Sequence, residues 1–409
     1  MPATSKKSKD HENATPHVAL IVETSTSFGR GVMSGIAQYI RENAPWSVYF
    51  TERSALDPVP AWIRKWKGDG VISRALSPDV VRSVIEADIP LVDLNEQFRG
   101  LGVPMISNDH GAIGQMAAEH LMERGFTRFA YIGHRGVFWS DVRFQEFQNV
   151  LTSEGHRCEQ FGGRAKSLRA VRQGTWELEL TQVAKWIESL EKPVGVFVGN
   201  DFRAVQFLAA CRMADVAVPE EVAVLGVGDD TVACELANPP LSSVLLNAHR
   251  MGYEAASLLE CLMKGDKPRQ MEVLIPPLSI VTRQSTDVTA IADPIVAKAM
   301  RYIRENACNG INIDDVLRHV LVSRTALQDH FRSVFDRSIH EMIIAQRISR
   351  ARELLLQSDL SLADVAERSG FRHAEYLSTV FKQRTGWTPA KYRQQHGYSQ
   401  PSNFQIKQE

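Results

Sequence analysis

A short repeat in the C-terminal hundred residues restricts the fold of this chain more than any other feature of its sequence. Val316 aligns with Val365 at an offset of 49 residues, and Phe331 aligns with Phe381 at an offset of 50. The second copy therefore contains one additional residue between its two halves, and the apolar spacing within both halves is helical. Two short helices joined by a turn that accepts an inserted residue indicate a helix–turn–helix unit. The repeat therefore predicts two helix–turn–helix units in this chain.

The second helix of each unit has one apolar and one polar face. Leu327 and Phe331, like Leu377 and Phe381, are four residues apart, which places each pair on one side of its helix. We therefore predict that these pairs are buried and that polar side chains face outward. The predicted outward-facing residues are Arg324, Thr325, Gln328, Asp329 and Arg332 in the first unit, and Ala374, Glu375, Ser378, Thr379 and Lys382 in the second.

Residues at the helix ends agree with this prediction. Ser361 and Asp364 have capping-box spacing, and Gly370 places a residue that tolerates positive φ in the turn. Leu321 takes the matching position in the first unit, where its Cβ atom disfavours positive φ, so we expect the first turn to differ in shape. A long helix over residues 340–357 would join the two units. The alternative interpretation is a plain helical bundle in which the repeat only builds a core.

The charge distribution and the exposed residue types both favour nucleic acid as a partner. Residues 293–396 contain 16 Lys and Arg against 12 Asp and Glu, a balance of about +4, whereas the whole chain has a net charge of −1. A basic segment attached to a mildly acidic body is typical of a DNA-binding domain. Arginine, glutamine, glutamate, serine and threonine side chains can form hydrogen bonds with base edges.

Residues 295–396 resemble the DNA-binding domain of the AraC family of bacterial activators. The resemblance is carried by Gly370-Phe371, Tyr376-Leu377-Ser378, Phe381-Lys382, Gly386-Trp387-Thr388-Pro389 and Tyr392-Arg393. It implies two recognition helices that enter successive major grooves of double-stranded DNA. By position, it assigns base contacts to Arg324, Thr325, Gln328 and Asp329 and to Ala374, Glu375, Ser378 and Thr379, and phosphate contacts to Arg332 and Lys382.

Ahead of this domain, short apolar runs alternate with amphipathic helical segments as far as residue 283. This alternation predicts βαβ units and a parallel sheet covered on both faces, and the length of the segment favours two lobes. The pattern therefore predicts an α/β two-lobed domain followed by an all-α double helix–turn–helix domain, and the resemblance given below implies that the first is periplasmic-binding-protein-like. The predicted strands are 18–23, 46–51, 70–72, 91–94, 129–133, 195–198 and 222–226.

Two of these strands end in polar side chains suited to a sugar. Asn200-Asp201 follows one strand and Asp229 follows another, and the carboxyl ends of parallel strands form the ligand crevice of open α/β sheets. The region resembles the effector domain of LacI-type repressors, which is related to periplasmic sugar-binding proteins. That resemblance implies sugar contacts from Arg143, Asn200, Asp201 and Asp229. It also places Arg30 in a loop at the mouth and Phe28 or Trp139 under the sugar ring. Gly228 stands where the family has a carboxylate.

These patterns predict five segments and a set of partners. The segments are a disordered arm at 1–16, a sugar-sensing domain at 17–285, a linker at 286–294, a DNA-binding domain at 295–397 and a flexible tail at 398–409. The order and length resemble a family of bacterial sugar-operon activators, which implies D-xylose as the effector. We expect double-stranded DNA, RNA polymerase and a second copy of the chain as partners, with no cofactor and no metal.

Two other functions are compatible with parts of the sequence. Gly29, Gly31 and Gly35 follow the first strand, with Glu52 after the next, which resembles a dinucleotide-binding turn except that the third glycine comes one residue late. The second alternative function is a constitutive DNA-binding protein whose first domain only forms a dimer and binds no sugar. The five cysteines are scattered, and no apolar run has the length of a membrane span. We therefore expect a cytoplasmic protein without enzymatic activity.

Overall fold

The computed structural model describes residues 15–43, 45–54, 57–58, 60–75, 78–96, 99–162, 176–287, 293–335, 337–358 and 360–396. The chain divides into two compact units, Met1–Thr289 and Ala290–Glu409. The predicted arm up to residue 14, residues 288–292 of the predicted linker and the predicted tail lie outside the described residues.

The first unit contains two six-stranded sheets. The strands are β1 (His17–Ile21), β2 (Ser47–Phe50), β3 (Gly70–Ser73), β4 (Leu91–Asp93), β5 (Met105–Asn108), β6 (Phe129–Ile132), β7 (Cys158–Gln160), β8 (Val194–Val198), β9 (Val222–Val227), β10 (Ser242–Leu245), β11 (Glu272–Ile275) and β12 (Ser279–Val281). One sheet has the order β11-β5-β4-β3-β1-β2 and the other the order β12-β10-β9-β8-β6-β7. The pairing of β10 with β12 is antiparallel, and the other pairs are parallel.

Helices cover both sheets, as parallel strands require. They are α1 (Ser27–Glu42), α2 (Pro78–Glu86), α3 (His110–Glu123), α4 (Phe138–Ser153), α5 (Trp176–Ser189), α6 (Asp201–Met213), α7 (Thr231–Leu236) and α8 (Ala248–Met263), with short 3₁₀ helices at Ala61–Lys65 and Gln284–Thr286. The chain leaves the first sheet after β5, returns to it after β10 and crosses again between β11 and β12. Three crossings therefore join two lobes, one built on each sheet, and the predicted α/β two-lobed fold is confirmed.

Helices α1 and α8 pack unusually closely in the first lobe. A Cβ atom added to Gly35 would lie 1.9 Å from the His249 carbonyl oxygen, and one added to Gly252 would lie 1.9 Å from the Val32 carbonyl oxygen. Atoms cannot approach to that distance, so only glycine permits this helix contact. Gly35 belongs to the motif that resembled a dinucleotide-binding turn, and its structural use is this helix packing.

The second unit is helical. Its helices are α9 (Pro294–Asn306), α10 (Ile313–Val320), α11 (Arg324–Phe335), α12 (Ile339–Gln357), α13 (Leu362–Arg368), α14 (Ala374–Thr385) and α15 (Pro389–His396), with a 3₁₀ helix at Ala307–Asn309. The pairs α10–α11 and α13–α14 are the two predicted helix–turn–helix units, and α12 is the predicted long helix. Leu327, Phe331, Leu377 and Phe381 are fully buried, as predicted.

Side chains cap the first helix of each pair, and an arginine on α12 binds the loop before the first pair. Asn312 and Asp315 form a complete capping box at the start of α10, and the Ser361 hydroxyl accepts a 3.1 Å hydrogen bond from the Asp364 N–H at the start of α13. Arg347 on α12 donates hydrogen bonds to the carbonyl oxygens of Ala307 and Ile311, at 2.9 and 2.8 Å. These bonds tie the loop before the first unit to the central helix.

The turn in the first helix–turn–helix unit has the same left-handed backbone as the turn in the second, contrary to our expectation of a different shape. Leu321 has φ 61° and Gly370 has φ 80°. The leucine side chain is 83% exposed, so burial does not compensate for the cost of the left-handed backbone, which is about 1–2 kcal/mol for a residue with a Cβ atom.

We expect the Leu321→Gly substitution to stabilise the second unit by about 0.5–1 kcal/mol, because glycine removes the left-handed strain but adds freedom to the unfolded chain. Calorimetric unfolding of the full chain measures this change. The matched variant is Gly370→Ala, which should destabilise the unit because its Cβ atom would lie 2.6 Å from the Ala307 carbonyl oxygen. A Leu321→Gly protein that unfolds at a lower temperature would contradict the strain argument.

Candidate effector site and nucleic-acid interface

Polar side chains from the carboxyl ends of both sheets meet at the junction between the lobes. Glu96 follows β4, His110 begins α3 after β5, and Gly199 follows β8 of the other sheet. Arg143 on α4 connects them: its Nε donates to His110 Nδ1 at 3.2 Å, and its Nη1 donates to the Gly199 carbonyl oxygen at 2.6 Å. His110 Nε2 lies 3.1 Å from Glu96 Oε1. We call this the Glu96–His110–Arg143 chain.

One protonation state of His110 satisfies both neighbours. Because Arg143 is a donor, His110 Nδ1 must accept, so the ring proton lies on Nε2 and is donated to Glu96. Burial lowers the pKa of His110, and the charge of Arg143 lowers it further, which keeps the ring neutral. Burial opposes ionisation of Glu96, but the hydrogen bond from His110 and the positive charge of Arg74 act against burial, and the net effect is a lowered pKa of Glu96. Burial lowers the pKa of Arg143 to about 10, so this side chain remains a cation.

Five buried side-chain polar atoms of the first lobe have no hydrogen-bond partner among the described residues. Two are the indole nitrogens of Trp46 and Trp66, and the other three are Glu23 Oε2, Asp93 Oδ2 and Arg53 Nη1. The Glu23 Oε1 atom pairs with the Arg74 guanidinium, and Glu23 is 2% exposed. Burial raises the pKa of Asp93 to about 7. Unpaired polar atoms in a protein interior are rare and call for a partner such as water or a ligand.

Both predicted aromatic platforms lie beside an arginine. The Arg143 guanidinium carbon is 4.9 Å from the centre of the Trp139 ring, and the Arg74 guanidinium carbon is 4.8 Å from the centre of the Phe28 ring. Each arginine therefore covers one face of its ring. Arg30 is exposed, and its Nη1 donates to the Thr24 carbonyl oxygen at 2.9 Å.

Asn200 caps helix α6 and also contacts a histidine. Its Oδ1 accepts from the Arg203 N–H at 2.8 Å, so its Nδ2 is the group that lies 3.3 Å from His134 Nε2. Burial lowers the pKa of His134 to about 4, and a neutral ring can accept this hydrogen bond. The structure brings Trp139, Arg143 and Asn200 to the same end of the second sheet.

Asp201 has both carboxylate oxygens engaged by the protein. Its Oδ1 accepts from the Ser243 hydroxyl at 2.6 Å, and its Oδ2 accepts from the Asp230 N–H at 2.8 Å. Asp201 is buried, and burial raises its pKa to about 6. A Cβ atom on Gly228 would lie 3.0 Å from Asp201 Oδ2. Gly228 thus leaves space for this carboxylate, which explains in steric terms why a side chain is missing at that position.

Asp229 and Asp230 point to different partners. Asp229 adopts φ 49°, and its carboxylate forms a 2.7 Å ion pair with Arg283. The Asp230 carboxylate instead accepts from the Ser27 hydroxyl of the first lobe at 2.9 Å.

Six polar residues at the junction were not predicted from the sequence: Glu23, Arg74, Glu96, His110, His134 and Asp230. A sequence signal for these residues was available, because each of the six follows a strand within three residues.

The two helix–turn–helix units present the predicted residues at their surface. Arg324, Thr325, Asp329 and Arg332 are exposed on α11, and Gln328 is half-buried. Arg324 lies 3.4 Å from Asp314 of the preceding helix, an exposed pair that contributes little to stability.

On the second recognition helix, α14, the predicted residues divide by exposure. Glu375, Thr379 and Lys382 are exposed, whereas Ala374 and Ser378 are half-buried. Ala374 packs against the apolar cluster below it. Arg372 and Tyr376 are also exposed around the start of this helix, and our sequence analysis did not select them as DNA contacts.

Two kinds of feature are absent from the described residues. No helix in that part of the chain is both long and apolar enough to cross a membrane. No group of three or more His, Cys, Asp or Glu side chains there is arranged to hold a metal ion.

Three family models match the chain. The model of the XylR N-terminal domain matches residues 17–101, and that of a periplasmic binding protein-like domain matches residues 118–286. A helix-turn-helix domain model matches residues 316–395. The predicted domain types are confirmed in this order.

Two curated relatives and one solved structure match this chain over almost their entire length. The xylose operon regulatory protein of Escherichia coli (strain K12) is 30% identical over 386 residues, which cover 92% of this chain and 96% of that protein. The protein of the same name from Haemophilus influenzae is 30% identical and is covered to 97%. A solved structure of the xylose-binding transcription activator xylR superposes with a TM-score of 0.82 at 28% identity, over 94% of this chain and 100% of the other.

Proposed function

The chain belongs to the family of xylose operon regulatory proteins, and on this basis we propose that it is a D-xylose-responsive transcription activator. D-xylose binds at the interlobe junction of the first unit, and the second unit binds double-stranded DNA. The protein acts in the cytoplasm as a homodimer and recruits RNA polymerase.

The Glu96–His110–Arg143 chain carries the proposal for the sugar. It joins polar groups from the ends of both sheets and lies in a unit that also holds two buried carboxyl oxygens without a partner among the described residues, Glu23 Oε2 and Asp93 Oδ2. A sugar hydroxyl both donates and accepts hydrogen bonds, so it complements a site in which carboxylates and a guanidinium alternate.

We assign the predicted effector residues two kinds of role. Arg143 and Asn200 contact sugar hydroxyls, and Phe28 and Trp139 flank the ring through the faces that their arginines leave open. Asp201 and Asp229 support the site without contacting the sugar, because the protein already occupies their carboxylates. Asp201 accepts hydrogen bonds from Ser243 and Asp230, and Asp229 forms an ion pair with Arg283. Arg30 remains a predicted contact at the mouth of the site.

Two observations support the choice of a regulator over a dinucleotide-dependent enzyme. Helix α8 packs directly against Gly35 of the glycine motif and leaves no space for a Cβ atom. This glycine therefore has a packing role. The relatives that match 92% of this chain are operon regulatory proteins. We therefore assign the chain no enzymatic activity.

Isothermal titration calorimetry of the full chain with D-xylose, L-arabinose and D-ribose tests the sensor. We expect measurable heat with D-xylose and weaker binding of the other two pentoses. Absence of heat with all three sugars, for a protein that still binds DNA, would favour a constitutive DNA binder whose first unit only dimerises.

We expect Glu375→Ala to relax the DNA sequence preference more than it lowers affinity. Glu375 is exposed in the first turn of α14, and a side chain that reads one base pair contributes about 1–3 kcal/mol of discrimination. Selection from random duplexes before and after the substitution measures the preference. Lys382→Ala is the comparison, because loss of a phosphate contact should weaken all sequences alike. A uniform loss with Glu375→Ala would argue against base reading.

A further inference from the structure

Ser27 and Asp230 form hydrogen bonds between the two lobes at a point away from the three chain crossings. Ser27, the first residue of α1 in the first lobe, donates from its backbone N–H and from its hydroxyl to Asp230 Oδ2, at 3.2 and 2.9 Å. Asp230 precedes α7 in the second lobe, and its Oδ1 accepts from the Ala233 N–H at 3.2 Å. One carboxylate thus connects α1 to α7.

Asp230 is fixed firmly on the second-lobe side. Its N–H donates to Asp201 Oδ2 at 2.8 Å, and Asp201 is buried and bonded to Ser243 of β10. The Asp229 N–H also donates to the Ser243 hydroxyl, at 3.0 Å. The backbone that carries the Asp230 carboxylate is therefore tied to the sheet, so the weaker part of the bridge is the contact with Ser27.

Ser27 is held in position by the start of its own helix. Thr26 caps α1 by accepting from the Gly29 N–H at 3.0 Å, and the Thr26 hydroxyl donates to Glu23 Oε1 at 3.3 Å. The Ser27 N–H is one of the first-turn groups that have no partner within a helix. An acceptor from the other lobe satisfies it, and separation of the lobes would leave it to water.

These contacts are separate from the Glu96–His110–Arg143 chain, which shares no residue with them. Burial opposes ionisation of Asp230, but the hydrogen bonds from Ser27 and Ala233 outweigh it and lower its pKa. The carboxylate is therefore charged at neutral pH and forms stronger hydrogen bonds than a neutral acceptor would.

We propose that Ser27 and Asp230 form a latch that holds the two lobes together and thereby sets the apparent sugar affinity without contacting the sugar. The proposal rests on the proposed function only in naming D-xylose as the ligand. A protein binds its ligand in proportion to the fraction that is already in the binding-competent form. A latch that favours the closed lobes raises this fraction.

Ser27→Ala removes the hydroxyl donor and keeps the backbone N–H. We expect it to raise the apparent Kd for D-xylose by about 5- to 10-fold, the loss expected for one hydrogen bond to a charged acceptor that is partly exposed. Calorimetry of the full chain measures the change. Ser153→Ala is the matched control, because the Ser153 hydroxyl donates only to Val150 within its own helix, and it should leave the Kd unchanged.

A double-mutant cycle separates the latch from direct sugar binding by Asp230. If the pair acts as a latch, the effect of Ser27→Ala disappears in an Asp230→Ala background. If Asp230 binds the sugar and Ser27 is incidental, Asp230→Ala abolishes binding while Ser27→Ala alone has no effect, and the proposal is overturned.

Hydrogen exchange without any sugar tests the latch independently of the proposed function. We expect Ser27→Ala to speed amide exchange by several-fold both at the start of α1 and around residues 230–233, because opening exposes both sides. Unchanged exchange on the second-lobe side would overturn the latch. If Ser27→Ala speeds exchange at both places but the wild-type protein binds none of the three pentoses, the latch is supported and the assignment of D-xylose as the ligand is wrong.

Discussion

Replacement of Arg143 by methionine is expected to lower the affinity for D-xylose by at least about 100-fold, which corresponds to about 2.7 kcal/mol. Arg143 is 5% exposed and bonds both His110 and the Gly199 carbonyl oxygen. Removal of one member of such a buried network leaves the remaining polar groups unpaired and eliminates the only donor in the Glu96–His110–Arg143 chain with a permanent charge. Calorimetric titration of the full chain measures the loss.

Arg128→Met is the matched control for this substitution. Arg128 belongs to the same lobe, but its guanidinium pairs with Glu191 at the surface, so its removal should change sugar affinity by less than about twofold. Thermal unfolding of both variants establishes whether they are folded. If the Arg143→Met protein is folded and binds D-xylose with wild-type affinity, the assignment of the sugar site to the interlobe junction is wrong.

The largest effect on stability is expected for Gly252→Ala, which should destabilise the first unit by about 3 kcal/mol or more. The new Cβ atom would lie 1.9 Å from the Val32 carbonyl oxygen, so α1 and α8 would have to separate. Both helices contribute to the core cluster that includes Val32, Met251 and Leu259, and a rigid backbone shift in a close-packed core is costly. Chemical denaturation of the full chain measures the loss.

Gly111→Ala is the comparison, because Gly111 is also a helical glycine. An added Cβ atom there meets nothing closer than 3.4 Å, and alanine is the better helix former by about 1 kcal/mol. This variant should be neutral or stabilised. Equal destabilisation by both substitutions would show that helix contact is not the reason for glycine at position 252.

The helical unit could be predicted from the sequence in most of its detail. Leu327, Phe331, Leu377 and Phe381 are buried as their spacing requires, and the predicted long helix is observed at Ile339–Gln357. Helical periodicity, caps and turn glycines are local signals, and local sequence determines them. Leu321 is the exception: its backbone is left-handed, because the turn that joins two packed helices overrides the preference of one residue.

The fold class of the α/β unit could be predicted from the sequence, but several of its individual strands could not. Seven strands were predicted from their apolar runs, and five were not. The missed strands β5 and β10 lie inside their sheets but contain polar residues, and β7, β11 and β12 are short or partly exposed edge strands. Edge strands carry a weaker pattern because one side lacks a neighbour, so their pairing depends on the rest of the sheet.

The local sequence determined the order of the two domains, the helix–turn–helix repeat and the polar strand ends, because each depends on residues close together in the chain. Only the tertiary structure decided which of these polar groups meet. It joined Arg143 to His110 and Ser27 to Asp230, and it turned Asp229 toward Arg283. The hydrogen bond between Ser27 and Asp230 joins residues 203 positions apart. Such a bond depends on how three chain crossings place the two sheets, and no local pattern encodes that placement.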